Sequence, residues 1–170
     1  MKKRTLTAIT RAVSPSLADC ELTFLARQKI DVAKAIEQHR DYEERLSRLG
    51  VRLVRLPAEP DLPDSVFVED TAIVLDELAI ITRPGATSRR AETESVADAL
   101  SDFRPLKFIQ PPATIEGGDV MRVVGDTVFM VDEFPRTRVS LKERGFDVHT
   151  IDIGEFQKAE AGLTCLSLIF

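Results

Sequence analysis

The sequence predicts an α/β domain in which a strand, strand, helix, strand unit recurs, and three observations lead there. Two stretches of the 170-residue chain, 66–110 and 120–153, share that element order although their residues differ. Apolar spacing follows the period of two that strands need in some segments and the 3.6-residue period of a helix in others. Gly and Pro punctuate the boundaries between them. A repeated order of this kind suggests a radial or stacked architecture.

Residues 5–13 alternate enough for a strand, and the polar stretch through Ser14, Pro15 and Ser16 that carries Cys20 reads as a loop. Over 32–49 apolar residues recur at Val32, Ile36, Tyr42, Leu46 and Leu49, the spacing of one helical face; Asp31 is placed as N-cap and Gly50 as stop. A strand follows over 51–56. Residues 57–64 form a loop, because Pro57, Pro60 and Pro63 have no amide hydrogen to give a central ladder. Strands over 65–75, with Glu69 and Asp70 at its middle, and 78–82 make a hairpin through Asp76 and Glu77. Ser88 can cap a helix over 89–103 whose apolar face holds Val96, Ala97 and Leu100, and 106–110 is extended. A second hairpin spans 120–131, turning at Gly125 and Asp126, since glycine supplies the positive φ that a two-residue turn demands. Pro135 and Arg136 open a short helix ending at Gly145; 147–153 is a strand, and 163–170 is a closing apolar strand that contains Cys165.

Composition narrows the function. An apolar content of 44% with 30% charged residues suits one soluble globular domain. Twenty-three basic against 28 acidic residues leave a net charge of -5, so there is no basic field for nucleic acid or an anionic membrane. No stretch approaches a membrane span, and the absence of tryptophan with a single tyrosine offers no stacking platform for single strands. Two distant cysteines without metal-ligand spacing, and a start lacking a signal-peptide core, point to a reducing, cytoplasmic setting.

Chemistry concentrates in acidic loops. Asp64, Glu69, Asp70, Glu116 and Asp119 fall at strand ends or beside Gly and Pro, where backbone can approach a ligand. Carboxylates there can grip a planar cation, since a guanidinium offers five donors in a fixed fork. The plainer alternative is that surface loops collect solvated acids. Cys165 is a second candidate, although a lone cysteine in an apolar strand is more often an inert core residue. As a nucleophile it would need a cation nearby, because a thiol of pKa ~8.5 is only a few per cent ionised at neutral pH. The two histidines, His39 on the helix and His149 on a strand, have no poised arrangement in the sequence and read as packing or surface residues.

Four blocks then carry a resemblance. PDSVFVED at 63–70, AIITRPGATSRR at 79–90 followed by Glu92, Thr93 and Glu94, ATIEGGD at 113–119, and the ending from FPRTR at 134–138 to GLTCLSLIF at 162–170 resemble the bacterial dimethylarginine dimethylaminohydrolases. Arginine deiminases and amidinotransferases share the wider pentein superfamily, but the Phe-Val-Glu-Asp block resembles the dimethylarginine enzymes. The resemblance implies a pentein-type α/β propeller of ββαβ repeats. It implies that Cys165 is the nucleophile attacking the guanidinium carbon, and that Asp70 and Glu116 hold the guanidinium nitrogens. Asp64 and the loop at Leu22 would meet the substrate α-amino group, Glu69 would line the pocket, and Arg89 would pair with the substrate carboxylate. The partner implied is a small cationic guanidino compound; no metal or organic cofactor is implied.

The same comparison implies a shortened interior. Where the family continues after the second hairpin through further strand and helix to a Leu-His-Leu-Lys segment with the catalytic histidine, Val131, Asp132 and Glu133 lead directly into the 134–138 block. Residues 1–131 then resemble the family's N-terminal part and 132–170 its nucleophile-bearing last repeat, a single domain of fewer than five repeats. Losing the proton donor implies impaired hydrolysis, slower by ~10²–10⁴-fold. Losing interior repeats implies open strand edges, a smaller ring or a homo-oligomer. Arginine deimination, or guanidino binding without chemistry, are the alternatives.

Overall fold

The computed structural model describes residues 6–117, 127–131, 139, 142–143 and 147–170, and in it the two ends of the chain share one sheet. β1 (Thr7–Arg11) is buried along its whole length. Ala8 joins one hydrophobic cluster and Ile9 the other, because successive strand side chains point to opposite faces and here both faces are covered. β1 pairs parallel with β2 (Arg52–Leu56), Thr7 opposite Arg52, and antiparallel with β8 (Leu168–Ile169), Ile9 opposite Leu168. Parallel neighbours need a long crossover, which α1 (Val32–Arg48) supplies. Taken as β8, β1, α1, β2, the two chain ends compose one strand, strand, helix, strand unit.

α1 begins as its sequence predicts, with the Asp31 side chain accepting from the Lys34 amide at 3.0 Å, and Gly50 beyond its end takes φ +80°. Its inner face differs from the expected stripe. Ala35, Gln38, His39, Tyr42 and Leu46 are buried, while Ile36 and Leu49 are exposed. The face is therefore rotated toward Gln38 and Tyr42, which find partners inside: Gln38 accepts from the Glu155 amide at 3.1 Å. Tyr42 and Ser167 share a hydrogen bond of 2.5 Å, joining the helix to the segment that carries Cys165. Phe156 is fully buried against Phe67 and supplies roughly 1.5–3 kcal/mol of apolar transfer, as a core aromatic does.

The second sheet holds β3 (Ala72–Val74), β4 (Ala79–Ile81) and β5 (Leu106–Phe108) in that order. β3 and β4 are an antiparallel hairpin closed by the Leu75 amide on the Leu78 carbonyl at 2.9 Å, and α2 (Glu92–Ser101) crosses over to the parallel β5. This is the unit expected over 66–110, with two corrections, and a third falls at the end of the chain. The strand expected over 65–75 is broken: Val68–Thr71 is a 3-10 turn, and β3 starts only at Ala72. Ser88 does not cap α2; it opens a 3-10 turn, Ser88–Ala91, and its hydroxyl donates to the Glu21 carboxylate. The strand expected over 163–170 shrinks to β8, and Thr164–Leu166 is another 3-10 turn.

β6 (Thr127–Val131) and β7 (Asp147–Ile151) form a parallel two-stranded sheet, Thr127 opposite Asp147. α3 (Gly154–Gln157) follows. Asp119, the Gly125 and Asp126 turn, and the helix opened by Pro135 and Arg136 lie outside the described residues. Among the described residues no helix is long and apolar enough to cross a membrane.

Candidate active site

The acidic pair sits where it does because the chain turns there. In a strand Glu69 and Asp70 would point to opposite faces; a 3-10 turn fans them by about a third of a revolution instead, toward one side. Buried Thr71 tightens the turn by donating from its hydroxyl to the Val68 carbonyl at 2.6 Å. From β4's end the Thr82 hydroxyl donates to the Asp70 carbonyl at 2.6 Å. Burial raises the pKa of Glu69, although a hydrogen bond with Thr164 opposes the rise.

Cys165 lies in the facing 3-10 turn, half-buried, and that turn packs on the one carrying Glu69 and Asp70. Burial pushes its thiol up to about 11, and the negative charges of Asp70 and Glu69 add to the rise. The thiolate is thus disfavoured until a cation enters.

Three further elements close on this pair. Asp64 ends the proline loop, buried, and accepts from the Glu21 amide at 3.0 Å; burial raises its pKa. Arg89, in the turn before α2, donates to Asp70 at 3.1 Å and to Glu92 at 3.0 and 3.3 Å. Burial works against the Arg89 cation, but Glu92, Asp70 and Asp64 outweigh it and raise its pKa. Glu116 follows an isolated bridge between Arg83 and Ile115, and its carboxylate accepts from the Gly85 amide at 3.4 Å. Next to it Gly117 lies against the acidic turn so closely that a Cβ would stand 1.7 Å from the Glu69 carbonyl oxygen. Only glycine allows that approach.

Asp64, Asp70, Arg89, Glu116 and Cys165 all line one cleft of about 380 Å³. With Glu21 and Glu160 the lining carries, among the described residues, five carboxylates against the guanidinium of Arg89, a field suited to a cation. Two expected residues stand back from it. Glu69 is held by Thr164 beside the cysteine, and Leu22 packs on the hydrophobic core while its neighbours Glu21 and Thr23 line the cleft.

Sequence reading did not single out Glu160, Glu21 or Glu92. Glu160 takes φ +59° and accepts from the amides of Thr23, Phe24 and Leu25 at 2.9, 2.7 and 2.5 Å, tying the first loop to the cleft rim. Its partners are more than 130 positions away, so no local pattern announces it. Glu92 is different: it stands three residues from Arg89, a spacing at which charged pairs meet in a helical turn. Neither histidine lines the cleft. His39 is buried in α1 near Glu43, and His149 on β7 lies 3.1 Å from Asp147. Among the described residues no group of three or more His, Cys, Asp or Glu is arranged to hold a metal ion.

Comparison with known folds defines the class: these mixed α/β sheets are those of the pentein-type guanidino enzymes. A crystal structure of the dimethylarginine dimethylaminohydrolase of Pseudomonas aeruginosa, a cysteine-to-serine variant complexed with citrulline, superimposes with a TM-score of 0.90 at 27% identity, covering 96% of this chain and 98% of that one. In sequence, the P. aeruginosa N(G),N(G)-dimethylarginine dimethylaminohydrolase is 45% identical over 131 residues, 76% of this chain and 50% of that protein. The Streptomyces coelicolor enzyme of the same name is 41% identical over 124 residues, 72% of this chain and 48% of its own length. No family model matches. The chain belongs to the dimethylarginine dimethylaminohydrolase family. It spans about half the length of the curated relatives it matches.

Proposed function

We propose that the cleft is a guanidino-hydrolase site, taking methylated arginine to citrulline and dimethylamine with Cys165 as nucleophile, and that hydrolysis is slow in this chain. The observation that carries the reading is the meeting of a thiol with Asp70 and Glu116 on one acidic cleft. Asp70 and Glu116 hold the guanidinium nitrogens through charge-assisted hydrogen bonds. The bound cation offsets the charges that keep the thiol protonated, so the thiol ionises as the site fills. The thiolate attacks the guanidinium carbon, dimethylamine leaves with a proton, and a covalent amidino-thioether remains. Water then adds to that carbon of the cationic intermediate, the carbon–sulfur bond breaks and citrulline departs; one of the water's protons restores the thiol and the other goes to solvent, where the released amine takes it up. Asp64, Glu69 and the loop at Leu22 bound the amino-acid end, and Arg89 faces its carboxylate.

Slowness follows from the missing proton donor. His39 and His149 are the chain's two histidines, and neither lines the cleft, so amine expulsion lacks an imidazole worth ~10²–10⁴-fold. We assign residues 1–131 to the family's N-terminal part and 132–170 to its last repeat, in one domain. The architecture is read as an incomplete propeller of fewer than five repeats, whose uncovered strand edges a second copy could pair with. Support for this comes from the ββαβ unit of β3, β4, α2 and β5 and from the pairing of β8 with β1.

Incubation with dimethylarginine should release citrulline slowly, and not at all in Cys165→Ala. A guanidino-directed thiol reagent such as chloroacetamidine, followed by mass spectrometry, should modify Cys165 alone, with protection by excess dimethylarginine. Equal modification of Cys20, or no protection, would refute the site. The raised thiol pKa and the lack of a lining histidine also favour a second reading, guanidino binding without chemistry. Arginine binding unchanged in Cys165→Ala, with no citrulline from any substrate, would select it.

A further inference from the structure

Glu92 has no part in the chemistry above, yet it is among the most completely buried charged groups of the chain, 1% exposed. Its two carboxylate oxygens take two different nitrogens of Arg89, Oε1 accepting from Nε at 3.3 Å and Oε2 from Nη2 at 3.0 Å. A two-point grip of this kind fixes the plane of a guanidinium as well as its place. The remaining nitrogen, Nη1, is the one on Asp70 at 3.1 Å. Behind Glu92, the positive charge of fully buried Arg11 on β1 acts on it, and Arg11 is itself held by Glu59 at 2.5 Å and by Ser95 of α2 at 2.6 Å. Burial raises Glu92 to about 7 although Arg89 pulls the other way, the mark of a carboxylate kept out of water by its surroundings.

We propose that Glu92 is a positioning residue: it holds the Arg89 head group at the cleft wall with Nη1 inward, and so makes a carboxylate on the ligand, beside its guanidinium, a condition of tight binding. This rests on the guanidino reading of the cleft. A ligand guanidinium that takes Asp70 removes the partner of Arg89 Nη1. Because Glu92 holds Nε and Nη2, the head group cannot swing out to water to recover one. A ligand that also carries a carboxylate returns an acceptor to Nη1. One without it leaves a largely buried donor unpaired, which is the costly half of any hydrogen-bond exchange.

Calorimetry with arginine and with agmatine, its decarboxylated counterpart, tests this on the full chain. Wild type should bind arginine about tenfold or more tighter, the usual consequence of one unpaired buried donor. Glu92→Gln should bring the two ligands within about threefold, weakening arginine because its carboxylate loses a fixed partner and tightening agmatine because the freed head group can reach water, and Glu92→Asp should restore part of the difference. In ¹⁵N-arginine-labelled protein, the Arg89 Nε–H resonance, assigned by its loss in Arg89→Lys, should move in Glu92→Gln. A Glu92→Gln protein that keeps the preference, loses agmatine equally, or leaves that resonance unmoved overturns the proposal. If Glu92→Gln does not fold, Glu92→Asp carries the comparison, and an undiminished preference there overturns it. Wild type binding neither compound would overturn the guanidino reading and the ligand requirement with it; wild type binding both, with the Arg89 resonance unmoved, would overturn the role of Glu92 alone.

Discussion

Cys165 shows how much a residue's chemistry is borrowed from its neighbours. The same side chain in an exposed loop would have the ordinary thiol pKa, whereas burial, with Asp70 and Glu69 adding to it, raises this one to about 11. Because the shift is upward, the thiolate is scarce below that pH and its fraction grows tenfold for each pH unit gained. Alkylation of Cys165 by neutral iodoacetamide should therefore climb about tenfold per unit from pH 8 to 10. Asp70→Asn removes one like charge, so the same profile should move to lower pH, even as guanidino binding weakens. A profile unmoved in Asp70→Asn would mean the two groups do not interact. The acids themselves were legible in the sequence as loop carboxylates. Their convergence was not, because nothing in local spacing states which loops meet.

At the scale of elements, two short 3-10 turns do what strands cannot. A strand over 65–75 would split Glu69 from Asp70, and one over 163–170 would split Thr164 from Cys165. In the turns, Glu69 reaches Thr164 and Asp70 faces the thiol's cleft. Alternating apolar residues predict strands there; over 68–71 the prediction fails because a local hydrogen bond from Thr71 to Val68 and a longer-range one from Thr82 to Asp70 reward the turn instead. Gly117 is the keystone of this packing. Gly117→Ala places a methyl group against the Glu69 carbonyl, and the strain of an overpacked site, ~1–3 kcal/mol or more, should lower the melting temperature by several degrees. It should also weaken arginine binding, since Glu116 and the acidic turn must part. An unchanged melting temperature with full binding would show that the contact relaxes freely. α1, by contrast, was readable from sequence alone, because an N-cap, a helical period and a terminal glycine are all local.

For the whole molecule the decisive contact joins residues at opposite ends of the chain. Thr7 and Phe170 exchange backbone hydrogen bonds of 2.7 and 2.8 Å, Leu168 and Phe170 belong to the same apolar cluster as Ile9, and Cys165 stands just before this closure. Removing residues 168–170 should therefore cost the fold and not only the terminus. The expected result is loss of the cooperative thermal transition followed by near- and far-UV circular dichroism; a truncated chain that unfolds cooperatively at the original temperature would show that the ends are dispensable. By itself the sequence determined the α/β class, α1 with its Asp31 cap, the β3–β4 hairpin and the family, for each of these is written in nearest neighbours or in contiguous motif blocks. Only the tertiary structure decided that the thiol and the carboxylates share one cleft, that Arg89 rests between Asp70 and Glu92, and that Glu160 holds the first loop. Those arrangements depend on contacts between distant segments, whose worth comes from burial and desolvation that no stretch of sequence experiences until the chain has closed.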